Sequence, residues 1–217
     1  MYKSQSIRNI KGFISGTKLY LLLLLLNSNS LNSQNTQSKS AKTIQAKIEI
    51  GPEYIWHSNI GNEINTTSFN LLFWTHYFKN AQLDMHFGLT ATEAKGTIQD
   101  WYTQNSPIIY HESTAKGIGP IVHFQQIIFE MAPISIFAAP SVGIIFYDKN
   151  FPYGGDFYNF MWRMSILFEY RINENYSFNI GVKWMHVSNG QGTGPYNPFY
   201  EGKGFSVTLT RQLYFKR

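Results

Sequence analysis

Hydrophobic and polar residues alternate with a period of two over most of the chain from Lys42 onward, which is the pattern of β-strands with one apolar face. The alternation is regular in residues 159–173, where every second residue from Phe160 to Ile172 is apolar. It predicts about eight strands. They lie at residues 42–57, 66–79, 82–96, 117–131, 134–148, 159–173, 176–189 and 203–215.

The connections between these segments alternate in length. Short turns are predicted at residues 79–81, 132–133 and 173–175. Longer connections, rich in Gly, Asn and Pro, are predicted at residues 58–65, 97–116, 149–158 and 190–202. Short turns at one end and long loops at the other are typical of bacterial outer-membrane barrels, whose apolar face meets lipid. The chain is therefore predicted to be all-β, an eight-stranded antiparallel up-and-down transmembrane β-barrel in the outer membrane of a Gram-negative cell.

The alternative fold is a secreted soluble β-sandwich or lipocalin-like barrel, in which the apolar face would point inward. The polar face carries residues of opposite charge near one another, as in Arg163 with Glu169 and Lys47 with Glu49. Charge pairs of this kind suit the enclosed lumen of a membrane barrel, which is polar. We therefore favour the membrane barrel.

The N-terminus has the composition of a secretory signal. Residues 1–18 carry basic residues without acids, residues 19–26 form an apolar run, and small polar residues follow to Ser33. The run is much shorter than the roughly 20 residues that a spanning helix needs, and it suits the core of a signal peptide. We predict a signal peptide at 1–33, a flexible lead-in at 34–41 and the barrel at 42–217.

Composition narrows the classes of function. Charged residues make up only 14% of the chain, and the basic residues of the signal segment account for most of the net charge of +5. A nucleic-acid partner is therefore not indicated. The chain has no Cys, and its histidines lack metal-ligand spacing, so neither a metal nor another cofactor is predicted.

One predicted strand places polar residues on its lipid-facing row. In residues 176–189, His186 and Ser188 continue the row that Phe178 begins. Polar groups that face hydrocarbon are costly, so this pair requires a reason. Glu201 has the same parity in the last strand if that strand extends upward, which would bring it beside His186. Ser, His and a carboxylate within mutual reach are the parts of a nucleophilic hydrolase.

In that arrangement Ser188 is the candidate nucleophile, His186 is the base, and Glu201 is the acid that orients the imidazole. The backbone amides of Asn189 and Gly190, together with the Asn189 side chain, are candidates for an oxyanion hole. Asn197 is a candidate for holding the loop or assisting that hole.

The stretch Met185–Gly190, followed by Asn197 and Glu201, resembles the His-x-Ser-Asn signature of the lipid A 3-O-deacylases, the PagL-type esterases. It is also similar to the related acyloxyacyl hydrolases of Bacteroidetes. The resemblance implies an outer-membrane barrel with a Ser-His-Glu triad on its outer wall, which removes the ester-linked acyl chain at position 3 of lipid A. By motif, Ser188, His186 and Glu201 match the nucleophile, base and acid. The implied partners are lipopolysaccharide and membrane lipid, and the family permits a homodimer.

Other functions stay open at this point. In a non-enzymatic barrel of the adhesion or stress-response kind, His186 and Ser188 would extend to the membrane interface without chemistry. An acyltransferase would pass a phospholipid chain to lipid A. The lipid A mass spectrum separates these functions, because a deacylase removes a chain, a transferase adds one, and an inert barrel does neither.

Overall fold

The structure, a computed structural model, describes residues 43–58, 62–78, 82–100, 108–190 and 197–216. The predicted signal peptide at 1–33 and lead-in at 34–41 lie outside these residues. Every regular secondary-structure element in the described residues is a β-strand. They are β1 Thr43–His57, β2 Asn62–Phe78, β3 Leu83–Gln99, β4 Tyr110–Met131, β5 Ile134–Ala138, β6 Ser141–Tyr147, β7 Tyr158–Arg171, β8 Tyr176–Ser188 and β9 Phe199–Lys216.

The strands close into a ring of antiparallel neighbours. The last strand, β9, returns to pair with β1 from Thr43↔Lys216 to His57↔Gly202. Strands β5 and β6 both pair with β4 and with β7, so they are two halves of a single position in the wall. The ring therefore has 8 positions, and the predicted up-and-down barrel is confirmed.

Side chains alternate between the lumen and the outer surface. Outward positions carry exposed large hydrophobic side chains. Examples are Phe69, Ile118, Phe168 and Ile180. Inward positions include many buried polar and charged side chains. Examples are Glu53, His86, Gln125 and Arg163. A soluble barrel would have the reverse arrangement, because its apolar face would fill the interior. The burial pattern therefore favours the membrane barrel.

The described residues contain no helix that is both long enough and apolar enough to cross a membrane.

A charged network crosses the lumen and connects distant strands. The Glu53 carboxylate on β1 lies 3.1 Å from Nε of Arg163 on β7 and 2.6 Å from Nζ of Lys183 on β8. The Asn70 amide on β2 donates to Glu53 at 3.3 Å and accepts from Arg163 at 3.2 Å. Arg163 therefore pairs across the lumen and not with Glu169 of its own strand, which accepts a hydrogen bond from β8 at 2.8 Å. These contacts connect β1, β2, β7 and β8 across the lumen.

A second polar cluster lies closer to the turn end of the lumen. Gln125 donates to the Glu49 carboxylate at 3.2 Å and contacts His123 at 3.2 Å. The other ring nitrogen of His123 lies 2.7 Å from the Ser141 hydroxyl. The Lys47 side chain, the partner predicted for Glu49, lies outside the described residues. Side chains of the wall itself thus occupy the interior, as expected for a small barrel.

Several strands begin earlier than the alternation predicted. β2 starts at Asn62 instead of residue 66, β4 at Tyr110 instead of 117, and β9 at Phe199 instead of 203. The β3–β4 ladder continues as far as Gln99↔Tyr110, although the outward residues Glu112, Thr114 and Lys116 on the way are polar. Backbone pairing does not require an apolar face, so the strands continue where the alternation fades. As a result, Glu201 lies inside β9.

The predicted strand at 134–148 is interrupted at Ala139 and Pro140. The break includes a proline, which has no N–H to donate to a ladder, although β1 and β4 each continue through a proline. The neighbouring backbone stays paired, because the Phe124 N–H donates to the Pro140 carbonyl and the Ala139 N–H donates to the Ser165 carbonyl, each at 2.9 Å. The wall therefore stays closed at this position.

Candidate active site on the outer wall

The candidate site is formed by outward-facing residues of three neighbouring strands, β7, β8 and β9. The register pairs His186 with Trp162 on one side and with Glu201 on the other. One step nearer the end of β8, Ser188 pairs with a phenylalanine on each side. The site lies at the end of the barrel where β8 connects to β9, opposite the short β7–β8 turn.

His186 and Glu201 are in direct contact across the β8–β9 ladder. His186 Nδ1 lies 2.9 Å from Glu201 Oε1, and the two side chains are 18% and 25% exposed. An ionised carboxylate only accepts hydrogen bonds, so Nδ1 carries the proton in this contact. When the ring is neutral, Nε2 then holds the lone pair and can accept a proton. The predicted juxtaposition of the two residues is present.

Ser188 ends β8 and lies two residues beyond His186 on the same outward row. Residues i and i+2 of a strand are about 7 Å apart at Cα, which places the two side chains within reach of each other. Phe160 of β7 and Phe199 of β9 are its register partners. Within the described residues, the Ser188 hydroxyl makes no hydrogen bond. The hydroxyl therefore lies between two aromatic register partners, on the same row as the imidazole but not hydrogen-bonded to it.

The two residues directly after Ser188 form a tight rim, in which Asn189 is buried and Gly190 is exposed. The Asn189 side chain is buried, and its Nδ2 donates to Asp156 Oδ2 at 3.3 Å. Gly190 has a φ of 71°, in the left-handed region that favours glycine, and a Cβ there would lie 3.0 Å from the Phe160 ring. Asn197 lies just before β9, and its Oδ1 is buried without a hydrogen-bond partner among the described residues. The sequence did not predict the Asp156 contact.

Two aromatic rings flank the His186 imidazole. The Trp162 ring is stacked on one side, with 5.8 Å between centroids and 28° between planes. The Phe199 ring is stacked on the other, at 5.5 Å and 23°. Trp184 packs edge-on against Trp162 at 4.6 Å. Periodicity in the sequence does not give the cross-strand register, so it did not predict these ring contacts.

A hydroxyl, an imidazole and a carboxylate in this order provide the groups for nucleophilic acyl transfer. Among the described residues, no group of three or more His, Cys, Asp or Glu side chains is placed to hold a metal ion.

The sequence profile of the family described as lipid A 3-O-deacylase (PagL) matches residues 66–199. The chain belongs to the lipid A 3-O-deacylase (PagL) family. The resemblance seen in the sequence motif is thereby confirmed. The matched segment includes His186 and Ser188 and ends before Glu201, so the position of Glu201 depends on the register of β8 and β9. As a member of the PagL family, the chain is an outer-membrane β-barrel, and its predicted location is confirmed.

The chain is also similar to solved structures. It is similar to the outer membrane enzyme PagL, with 13% identity and a TM-score of 0.45, over 76% of this chain and 98% of that one. It is similar to Neisserial surface protein A at 10% identity and a TM-score of 0.45, over 78% and 97%. For the outer membrane protein AlkL the values are 12% and 0.37, over 87% and 97%. No curated protein sequence matches the chain.

Proposed function

We propose that this member of the PagL family is an outer-membrane serine esterase that hydrolyses the 3-O ester-linked acyl chain of lipid A. Ser188 is the nucleophile, His186 the general base, and Glu201 the acid that orients the imidazole. The 2.9 Å contact between His186 Nδ1 and Glu201 Oε1, on the outward row that also holds Ser188, carries this proposal.

In the first half of the reaction, Ser188 Oγ attacks the ester carbonyl carbon while Nε2 of His186 takes the hydroxyl proton. The carbonyl oxygen becomes an oxyanion, which needs donors that are already oriented toward it. The backbone N–H groups after Ser188, at Asn189 and Gly190, are the proposed donors, with Asn197 in support. The tetrahedral intermediate then expels the sugar 3-oxygen, which leaves with the proton from the imidazolium.

In the second half, water attacks the acyl-enzyme and His186 accepts its proton. The second tetrahedral intermediate expels Ser188 Oγ, which recovers a proton from the imidazolium, and the fatty acid is released. Glu201 stabilises the imidazolium in both halves through its contact with Nδ1. No atom of the reaction has to come from a group other than the chain, lipid A and water.

The location of the groups suits a substrate that is dissolved in the membrane. A soluble substrate would reach a lumen or a cleft, but lipid A can approach the outer wall laterally with its ester near the interface. The three polar side chains lie at the loop end of β8 and β9, which is the outer-leaflet end of an outer-membrane barrel. An outward serine, histidine and glutamate at this depth are therefore accessible to an acyl ester.

The proposal is tested by expressing the chain in a Gram-negative host and measuring lipid A by mass spectrometry. The wild type should remove one ester-linked acyl chain, whereas Ser188→Ala and His186→Ala should each abolish the loss. Heat-modifiable gel mobility serves as the folding control for each variant. Persistent deacylation in both variants would show that the triad assignment is wrong.

The same spectra distinguish the alternative functions. A gain of mass equal to an acyl chain would indicate a transferase, and an unchanged spectrum with a folded wild-type barrel would indicate a non-enzymatic protein. The homodimer that the family permits stays a prediction, and cross-linking of the wild-type barrel in membranes tests it.

A further inference from the structure

The His186 ring lies on the outer wall of the barrel, with 18% of its side chain exposed. Its neighbours in β8, Met185 and Val187, are buried in the lumen, so the ring itself projects outward. In a soluble hydrolase, surrounding protein fixes the imidazole, but here lipid borders the exposed part of the ring. One hydrogen bond to Glu201 fixes a single point of the ring and leaves rotation about that contact.

Trp162 and Phe199 provide protein contacts that can fix the orientation of the imidazole. Both rings lie nearly parallel to the imidazole, at 28° and 23°, and they stand on opposite neighbouring strands. Offset stacking at these distances covers part of the two flat sides of the imidazole and leaves its edges uncovered. One edge is occupied by Glu201 through Nδ1, and the other edge, with Nε2, is left for Ser188.

We propose that Trp162 and Phe199 are positioning residues that hold the His186 imidazole between their rings, in the plane that connects Glu201 with Ser188. This inference rests on the proposed function, because it assumes that His186 is the base. The aromatic faces also attract the imidazolium that forms during the reaction, since a cation over an aromatic ring is stabilised. Trp184, edge-on against Trp162, supports that ring from below.

The experiment compares Trp162→Leu, Trp162→Phe, Phe199→Leu and the control Trp56→Leu in purified, refolded barrels. Trp56 is also an exposed outward tryptophan, but its ring contacts are with Tyr54 of β1 and Phe205 of β9. Two quantities are measured: kcat and KM for fatty-acid release from lipid A, and the rate at which a fluorophosphonate labels Ser188. The labelling rate reports activation of the hydroxyl by His186 without depending on lipid A binding.

Trp162→Leu and Phe199→Leu should each lower kcat and the labelling rate about tenfold, which corresponds to about 1.4 kcal/mol. KM should change less than about twofold, and Trp162→Phe should recover most of the loss because it restores an aromatic face. Trp56→Leu should match the wild type. Gel mobility confirms that each variant is folded.

The results separate this inference from the proposed function. Wild-type labelling rates in both leucine variants, or a loss confined to KM, would overturn the positioning role while leaving the triad in place. A leucine variant that loses activity without recovery in Trp162→Phe would likewise contradict a role for the aromatic face. Deacylation by Ser188→Ala, or a wild-type protein whose Ser188 is never labelled, would instead refute the proposed function and this inference with it.

Discussion

Removal of the Glu201 carboxylate is the perturbation that tests the proposed triad most directly. Its Oε1 accepts from His186 Nδ1 at 2.9 Å, and no other hydrogen bond of His186 is present in the described residues. A hydrogen bond to a charged group contributes about 1.5–3 kcal/mol. If that stabilisation is needed by the imidazolium, Glu201→Ala should lower kcat by about 10- to 150-fold, since 1.36 kcal/mol is a factor of ten.

Glu201→Gln should be at least as damaging as Glu201→Ala, although it is closer in shape. The glutamine amide can donate to Nδ1, which would move the imidazole proton to Nε2 and leave no lone pair toward Ser188. A comparable acid-to-amide exchange in a Ser-His-Asp triad lowers kcat by about 10⁴-fold because the histidine adopts the wrong tautomer. Glu201→Asp, which keeps the charge on a shorter side chain, should retain more activity than either variant.

The assay is fatty-acid release from purified lipid A in detergent micelles, with gel mobility as the test of folding. Glu63→Gln is the matched control, because Glu63 is an exposed glutamate on β2 that makes no ion pair in the described residues. If Glu201→Ala and Glu201→Gln both keep kcat within about twofold of the wild type, Glu201 is not the acid of the triad. A change of that size is much smaller than the tenfold change that corresponds to about 1.36 kcal/mol. If Ser188→Ala is inactive in the same assay, only the assignment of Glu201 as the acid fails.

Other substitutions test the surroundings of the site. Gly190→Ala should lower kcat several-fold. A left-handed backbone conformation costs about 1–2 kcal/mol for a residue with a Cβ, and the added Cβ would contact Phe160. An unchanged kcat would contradict the tight packing of this rim. Asp156→Ala should remove one hydrogen bond of the Asn189 side chain and lower kcat a few-fold, consistent with about 0.5–1.5 kcal/mol for a hydrogen bond, while KM stays constant in the same micelle assay. Arg163→Leu should leave kcat of the folded fraction unchanged and lower the temperature of the gel-mobility transition, because breaking a buried ion pair costs about 3–5 kcal/mol; an unchanged transition would show that the lumen network does not stabilise the barrel.

The sequence predicted the architecture because membrane barrels impose a strict period of two. Outward residues such as Phe168 and Ile180 must be apolar and inward residues such as Arg163 must be polar, so the alternation marks each strand. The alternation of apolar and polar residues is lost where the barrel wall extends beyond the lipid. Beyond Gly117 toward Tyr110 the outward residues of β4 are polar, so the alternation no longer distinguishes the faces and the predicted strand was too short.

The candidate site was predictable in part for the same reason. His186 and Ser188 stand out because they are polar on an apolar row, and parity alone identified Glu201 as a neighbour. Parity does not give register, so the contacts of Trp162 and Phe199 with the imidazole were not predicted. Partners across the lumen are also invisible to periodicity, which is why Arg163 was paired with the nearest acid of its own strand instead of with β1.

The distribution of charge links the fold with the chemistry. If the barrel were stabilised mainly by contacts on its outer face, a polar serine, histidine and glutamate on the lipid side would destabilise it. Here the ionic contacts of Glu53 lie entirely in the lumen, where Arg163 and Lys183 approach it from β7 and β8. The same two strands present His186 and its aromatic neighbour outward. The inner face of β7 and β8 therefore holds the ionic contacts, and their outer face holds the candidate site.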